Sequence, residues 1–369
     1  MPFNPNAQRI AAIDWLRGIV MMLMALDHTS WFFNEHRIFA DSILLYEPGT
    51  LFATDQFLTR WVTHICAPTF VFLAGTSIAI SNFQRLQHGM DATFIDRELL
   101  LRGAFIALLD LTLFSYASGK PMLQVLYAIG ISMMLMVYLQ RLGTRWILFL
   151  ACLIIAGGES LLIAFWQPEI EVPLWLAFTF APAFDENYTV LYPALPWLGI
   201  MMLGWCFGQW LILRQPDANT PHHLLMTIGW FALTVFVVIR GLDGYGNLFM
   251  HLEGNALAQW LHVSKYPPSL AYTLLELGLM AIILSLLLRL EAIVQKIDPN
   301  GPVLVFGQTA LFFYLAHFGV LIALRPLFAP GDLAQTYWIT ALVLIVLYPV
   351  CRFYRTLKWR YPQSLLRFL

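Results

Sequence analysis

Charge is scarce in this chain. Of its 369 residues only 12% are Asp, Glu, Lys or Arg, about half the roughly 25% usual in soluble domains. So few charges cannot cover the surface of a water-soluble globule, and 59% hydrophobic residues exclude a disordered chain as well. Cysteine is equally sparse. Cys66, Cys152, Cys206 and Cys351 lie in or at the ends of apolar runs, with no C-x-x-C, and read as small buried hydrophobes. There is no H-E-x-x-H, no P-loop, no G-x-G-x-x-G and no G-x-S-x-G. The pair His222-His223 lacks the further ligands of a metal site, so no metal is expected. A formal net charge of −1 leaves no basic surface for nucleic acid. No low-complexity tract, repeat or soluble segment interrupts residues 1–369, which read as a single transmembrane domain.

What the chain has in abundance is long apolar runs, and mean hydropathy is +0.69. A bilayer core needs about 20 apolar residues in a helix. Ten runs are candidates: about 12–33, 61–82, 99–117, 122–140, 146–166, 191–213, 223–240, 269–289, 303–324 and 336–355. The stretch 174–184 is too short to span and contains Pro182. It reads as re-entrant or interfacial, and eleven spans result if it crosses. The runs lack β-barrel alternation, so the class is all-α and polytopic. The N-terminus lacks the layout of a cleavable signal, so the first run is read as a retained span.

Ten spans put both termini on one side. Fifteen of the 21 Lys and Arg fall on that side, which places the termini in the cytoplasm. Segment 167–190, with Glu169, Glu171, Asp185 and Glu186 and no Lys or Arg, suits an external loop.

Ionisable residues inside spans are functional candidates by default. At about 1.5 Å per residue, His28, His64 and His317 come out about 8, 5 and 10 Å from the external face. Glu276 and Glu159 lie at about the depth of His317, Asp27 adjoins His28, and Asp110 is the deepest acid. Charges in lipid must pair or face water, so these groups are expected to wall one outward-facing polar cavity. Arg17 and His28 are eleven residues apart, which returns them to within about 20° of one helix face, about 16 Å apart along the axis. Asp14 and Arg17 are i,i+3 neighbours able to neutralise each other. Asp27 points about 100° away from His28. It is therefore expected to pair with His64, leaving Glu276 or Asp110 to orient His28.

Segment Arg9–His28, RIAAIDWLRGIVMMLMALDH, resembles the opening of membrane-bound acyltransferases. Arg17 and His28 match the R-x10-H signature of the acyltransferase-3 family. Further stretches narrow the likeness: APTFVFLAGTSIAIS (67–81), LQVLYAIGISMM (123–134), LYPALPWLGIMMLG (191–204), KYPPSLAYTLLELG (265–278) and VFGQTALFFYLAH (305–317). Together they resemble the bacterial branch of the heparan-alpha-glucosaminide N-acetyltransferase catalytic-domain family. The resemblance implies transfer of an acetyl group from cytosolic acetyl-CoA to a saccharide acceptor across the membrane, here a bacterial inner membrane, with a histidine as the catalytic group. In the lysosomal relatives that histidine lies between spans 1 and 2, with an asparagine near the end of span 1. Asp27 takes the asparagine-like place, and His28 and His64 are the nearest histidines.

The chemistry agrees. Acyl transfer to a hydroxyl or amine needs a base near pH 7, which imidazole supplies. It needs a donor for the developing oxyanion, for which Tyr314 and Trp31 are candidates. A CoA donor needs cations for its phosphates, and Arg17, Arg102 and Arg145 lie in the cytoplasmic half. The candidate set is thus His28, His64, Asp27, His317 and Glu276 for catalysis and the three arginines for the donor; a homodimer is a candidate assembly. The rival readings are a proton-coupled transporter using the same histidines and carboxylates, and a non-catalytic scaffold. A transporter should show broken helices in matching halves. A topology reporter fused after residue 175 should report the non-cytoplasmic side, and cytoplasmic signal there would overturn the orientation.

Overall fold

The computed structural model describes residues 10–361 except Glu169, 215–219 and Asn255, together with Ser364 and Leu366. Arg9, Glu169 and Arg367, which entered the charge argument, lie outside the described residues. The chain is a succession of helices: α1 (Ala11–Phe33), α2 (Thr54–Val62), α3 (Cys66–Gln87), α4 (Ala92–Leu109), α5 (Ser115–Ser118), α6 (Val125–Leu139), α7 (Thr144–Phe165), α8 (Leu174–Thr179), α9 (Ala194–Arg214), α10 (Thr220–Leu242), α11 (Leu257–Leu261), α12 (Leu270–Ile293), α13 (Pro302–Gln308), α14 (Ala310–Leu324) and α15 (Leu333–Arg360). A π-helical turn, Asp110–Phe114, joins α4 to α5.

Local chemistry sets several of these boundaries. The side chains of Asp91, Ser269 and Asp332 accept hydrogen bonds from Phe94, Tyr272 and Gln335 N–H groups and so start α4, α12 and α15. Pro302 stands in the first turn of α13, where its missing N–H costs nothing. Three two-residue strands, β1 (Met122–Leu123), β2 (Ala183–Phe184) and β3 (Thr189–Val190), form a small sheet in the order β1-β3-β2. β1 and β3 run parallel with Met122 opposite Thr189, and β2 and β3 run antiparallel. The stretch 174–184 is therefore the six-residue α8 followed by a strand of this sheet.

Six helical spans are long and apolar enough to cross a membrane, with α2 and α3 counted as one, and seven if the bent pair α13–α14 is one span. The ten or eleven expected from hydropathy are not all met on those grounds. α6 has only 15 residues, while Asp14, Arg17 and Asp27 interrupt α1 and Asp96, Arg97, Glu98 and Arg102 interrupt α4. α13 and α14 meet at 102°, and they are the one such break among the described residues. The paired breaks expected of a transporter are not seen there.

α1 is the central helix, packed against α3, α12, α13, α14 and α15. Its closest approach is to α13, and glycine makes it possible. A Cβ on Gly307 would lie 1.8 Å from the Asp14 carbonyl oxygen, and one on Gly18 would lie 1.9 Å from that of Val303. Both are backbone clashes that no side-chain rotamer relieves. Gly307→Val should therefore cost at least the ~1–3 kcal/mol of ordinary overpacking, read as a lowered Tm in detergent. An unchanged Tm would contradict the close packing.

Candidate functional site

Arg17 is fixed where α1 meets α13. Its guanidinium donates to Asp14 Oδ1 at 3.0 Å, to the Gly307 carbonyl at 3.4 Å and to Ser77 Oγ of α3 at 3.2 Å. It stands at one end of a cavity of about 440 Å³. Arg85, Arg102 and Lys358 line the same end, with Ser77 and Asn82 beside them. Arg85 pairs with Glu98 at 3.3 Å. The middle wall is apolar, built by Met21, Met24, Ala74, Ile78, Leu99, Ile106, Met133 and Leu311. Asp27, His28, Thr63, Tyr192, Lys265 and Tyr314 line the other end. One length of α1, about 16 Å from Arg17 to His28, thus connects a cluster of cations to an imidazole.

The His28 ring has a definable proton arrangement. His317 Nδ1 lies 3.2 Å from the Phe313 carbonyl. A carbonyl only accepts, so His317 carries its proton on Nδ1 and its lone pair on Nε2. His28 Nδ1 lies 2.7 Å from that Nε2 and must donate to it. His28 is then the tautomer whose Nε2 lone pair is unprotonated, and that nitrogen has no hydrogen-bond partner among the described residues. The rings stack with centroids 4.9 Å apart, and Phe318 and Tyr314 pack against His28 at 4.7 and 6.1 Å. The Tyr314 hydroxyl has no partner among the described residues.

Asp27 does not pair with His64. Its Oδ1 accepts from Arg37 at 2.9 Å, Arg60 at 2.5 Å and Thr63 Oγ1 at 3.0 Å, and Arg37 also donates to its carbonyl at 2.8 Å. Arg60 bridges to Asp41, whose Oδ1 lies 3.1 Å from His64 Nε2. A half-buried carboxylate is stabilised by cations and donors beside it, and the cations bonded to Asp27 come from the segment after α1 and from α2. Glu276 and Asp110 do not orient His28 either. Glu276 is buried off the cavity wall, and its Oε1 has no partner among the described residues. Asp110 accepts the Gln124 and Tyr127 N–H groups at 2.8 and 2.7 Å, which starts α6. Glu159 accepts the Gly246 and Leu248 N–H groups and anchors that loop.

Of the sequence-derived set, then, Asp27, His28, Arg17 and Arg102 lie on the cavity wall. His317 stands behind His28, His64 is buried against Asp41, and Arg145 and Glu276 are not on the wall. Trp31 is 51% exposed and packs on Phe39. Sequence reasoning passed over Lys265, Arg85, Lys358, Arg37, Arg60 and Asp41. The first five entered only as topology charges, although Lys265 opens the KYPPSL stretch.

A helical membrane protein whose cavity joins cations to an oriented imidazole is the class these features define. The chain belongs to the heparan-alpha-glucosaminide N-acetyltransferase, catalytic, family, whose model matches residues 9–240, more than half of its length. Comparison with curated proteins gives no match. Arg17, Asp27, His28, Arg85 and Arg102 fall within the matched stretch, whereas Lys265, Tyr314, His317 and Lys358 lie beyond it.

Burial alone would raise the Asp41 carboxyl, but Arg60 and then His64 hold it well below the usual carboxylate range. A group whose folded value is depressed stabilises the fold above its unfolded value and loses that contribution only as pH falls toward the folded one. Asp41→Asn should cost about 3–5 kcal/mol, the cost of breaking a buried pair. Thermal unfolding should show that loss undiminished from pH 7 to pH 5; a cost that vanished over this range would contradict the pairing.

Proposed function

We propose that the protein is a membrane acetyltransferase that takes an acetyl group from cytosolic acetyl-CoA and passes it to a saccharide hydroxyl or amine on the opposite side. The observation that carries this reading is the single cavity with cations at one end and an imidazole lone pair at the other. Family membership supports the reaction class. The donor's phosphates fit Arg17, Arg85, Arg102 and Lys358, and its thioester arm fits the apolar wall. Here Arg85 and Lys358 take the place that Arg145 held in the sequence argument.

At the far end, His28 Nε2 accepts the proton of the acceptor hydroxyl or amine as that atom attacks the thioester carbonyl. His317 holds the ring and its tautomer in place of a carboxylate. The tetrahedral oxyanion collapses, the C–S bond breaks, and imidazolium returns the proton to the CoA thiolate. Tyr314, with its free hydroxyl, is a donor to the oxyanion.

Ten crossings with both termini in the cytoplasm complete the reading: α1, α2–α3, α4 with its π-turn, α6, α7, α9, α10, α12, α13–α14 and α15. This topology puts the cation cluster inside and His28 toward the outside, as a cytosolic donor and an external acceptor require. A bacterial inner membrane is the setting the family resemblance supports.

Purified protein should gain thermal stability with CoA. Arg17→Ala should weaken CoA binding about tenfold, which is the loss of roughly 1.4 kcal/mol, and Arg145→Ala should leave it unchanged. His28→Ala should lower turnover by about 10²–10⁴-fold, the range of a general base, with CoA affinity retained. Near-normal turnover in His28→Ala would remove the assigned base. Absence of CoA binding by the wild type would remove the acetyltransferase reading.

A further inference from the structure

Lys265 is 3% exposed, yet it lines the imidazole end of the cavity. Its backbone N–H donates to the Asp41 carbonyl at 2.8 Å, which ties the residue to the Asp41 loop. Its ammonium makes no hydrogen bond or ion pair with any described residue, and its recorded contact is the Tyr266 ring at 5.2 Å. Its two cationic neighbours are different. Arg37 is bonded to Asp27, and Arg60 is bonded to both Asp27 and Asp41. Glu276 is the remaining nearby acid, and it forms no ion pair with Lys265. Asp27, His28 and Lys265 line the same cavity.

A buried ammonium without a bonded anion is costly unless a ligand supplies the negative charge. The cation cluster assigned to the donor's phosphates is at the opposite end, about 16 Å away along α1. The negative charge that arises beside His28 is the oxyanion formed when the acceptor adds to the thioester. Resting on the acetyltransferase reading, we infer that Lys265 is a catalytic residue whose ammonium holds the acyl carbonyl oxygen as it becomes an oxyanion. Bond changes remain those of acyl transfer. The acceptor oxygen or nitrogen bonds to the carbonyl carbon, His28 takes the acceptor's proton, and the carbonyl π pair moves onto oxygen against Lys265. That pair then reforms C=O, C–S breaks, and the proton passes to sulfur.

The test separates a charge that acts in the transition state from one that merely supports the fold. Two CoA analogues are compared: the methyl ketone, which resembles the bound thioester, and the trifluoromethyl ketone, which adds water at its carbonyl and resembles the tetrahedral state. The wild type should hold the trifluoromethyl ketone about 100-fold tighter, at the low end for transition-state analogues. Lys265→Met should reduce that ratio at least tenfold, leave methyl ketone affinity within about twofold, and lower kcat about 100-fold with KM for acetyl-CoA little changed. Should Lys265→Met fail to fold, Lys265→Arg must show a ratio below the wild type, because its guanidinium keeps the charge but moves it. An unchanged ratio in the folded variant, or no preference in the wild type, overturns the assignment. If the wild type binds neither ketone, the acetyltransferase reading falls and the role of Lys265 falls with it.

Discussion

Arg60 lies between a half-buried carboxylate and a buried one. One, Asp27, belongs to α1, and the other, Asp41, belongs to the segment that follows it. The arrangement at the imidazole end depends on this bridge. It draws residues 37–41 back over α1, lets Arg37 close on Asp27, and gives Lys265 and Tyr266 a carbonyl to bind. Each charge is expensive alone and tolerable only with its partners. The group is therefore cooperative, and removal of one member leaves the others uncompensated. Such a group specifies where the α1–α2 connection must lie more firmly than apolar packing could.

The imidazole pair works differently from a histidine held by a carboxylate. His317 is a neutral partner whose own proton is committed to the Phe313 carbonyl. It fixes the His28 ring and tautomer but supplies no formal negative charge to an imidazolium. The His28 ring is thus oriented by a neutral hydrogen-bond partner rather than by an ion pair. The aromatic packing by Phe318 and Tyr314 adds rigidity to the same end.

Much of the fold was legible because its signal is local. Apolar runs mark helices, and the eleven-residue spacing places Arg17 and His28 on one face whatever surrounds them. The ionic partners were not legible. Arg37, Arg60 and Lys265 look like ordinary topology charges, and Asp41 like any loop acid, until the loops fold inward, and that is a tertiary event without a periodic trace. Asp110 and Glu159 misled for the opposite reason. Depth alone marked them as site acids, but each is consumed by backbone N–H groups, one at the start of α6 and one in the 243–250 loop. The break between α13 and α14 escaped hydropathy because both halves are apolar, and neither glycine nor proline stands at Thr309 where the chain turns.

The apolar middle of the cavity carries a further consequence. A passage joining two polar ends across a membrane is a potential leak for protons and ions, and a leak would dissipate the gradients that the membrane maintains. Met21, Met24, Ile78, Leu99, Ile106 and Met133 offer water no hydrogen bonds, and hydrophobic constrictions of this kind close by dewetting. On the acetyltransferase reading, the side chains that would make room for the donor's arm also act as a gasket when no arm is there. Methionine, unbranched and with three rotatable bonds, suits a wall that must part around a slender chain and close again.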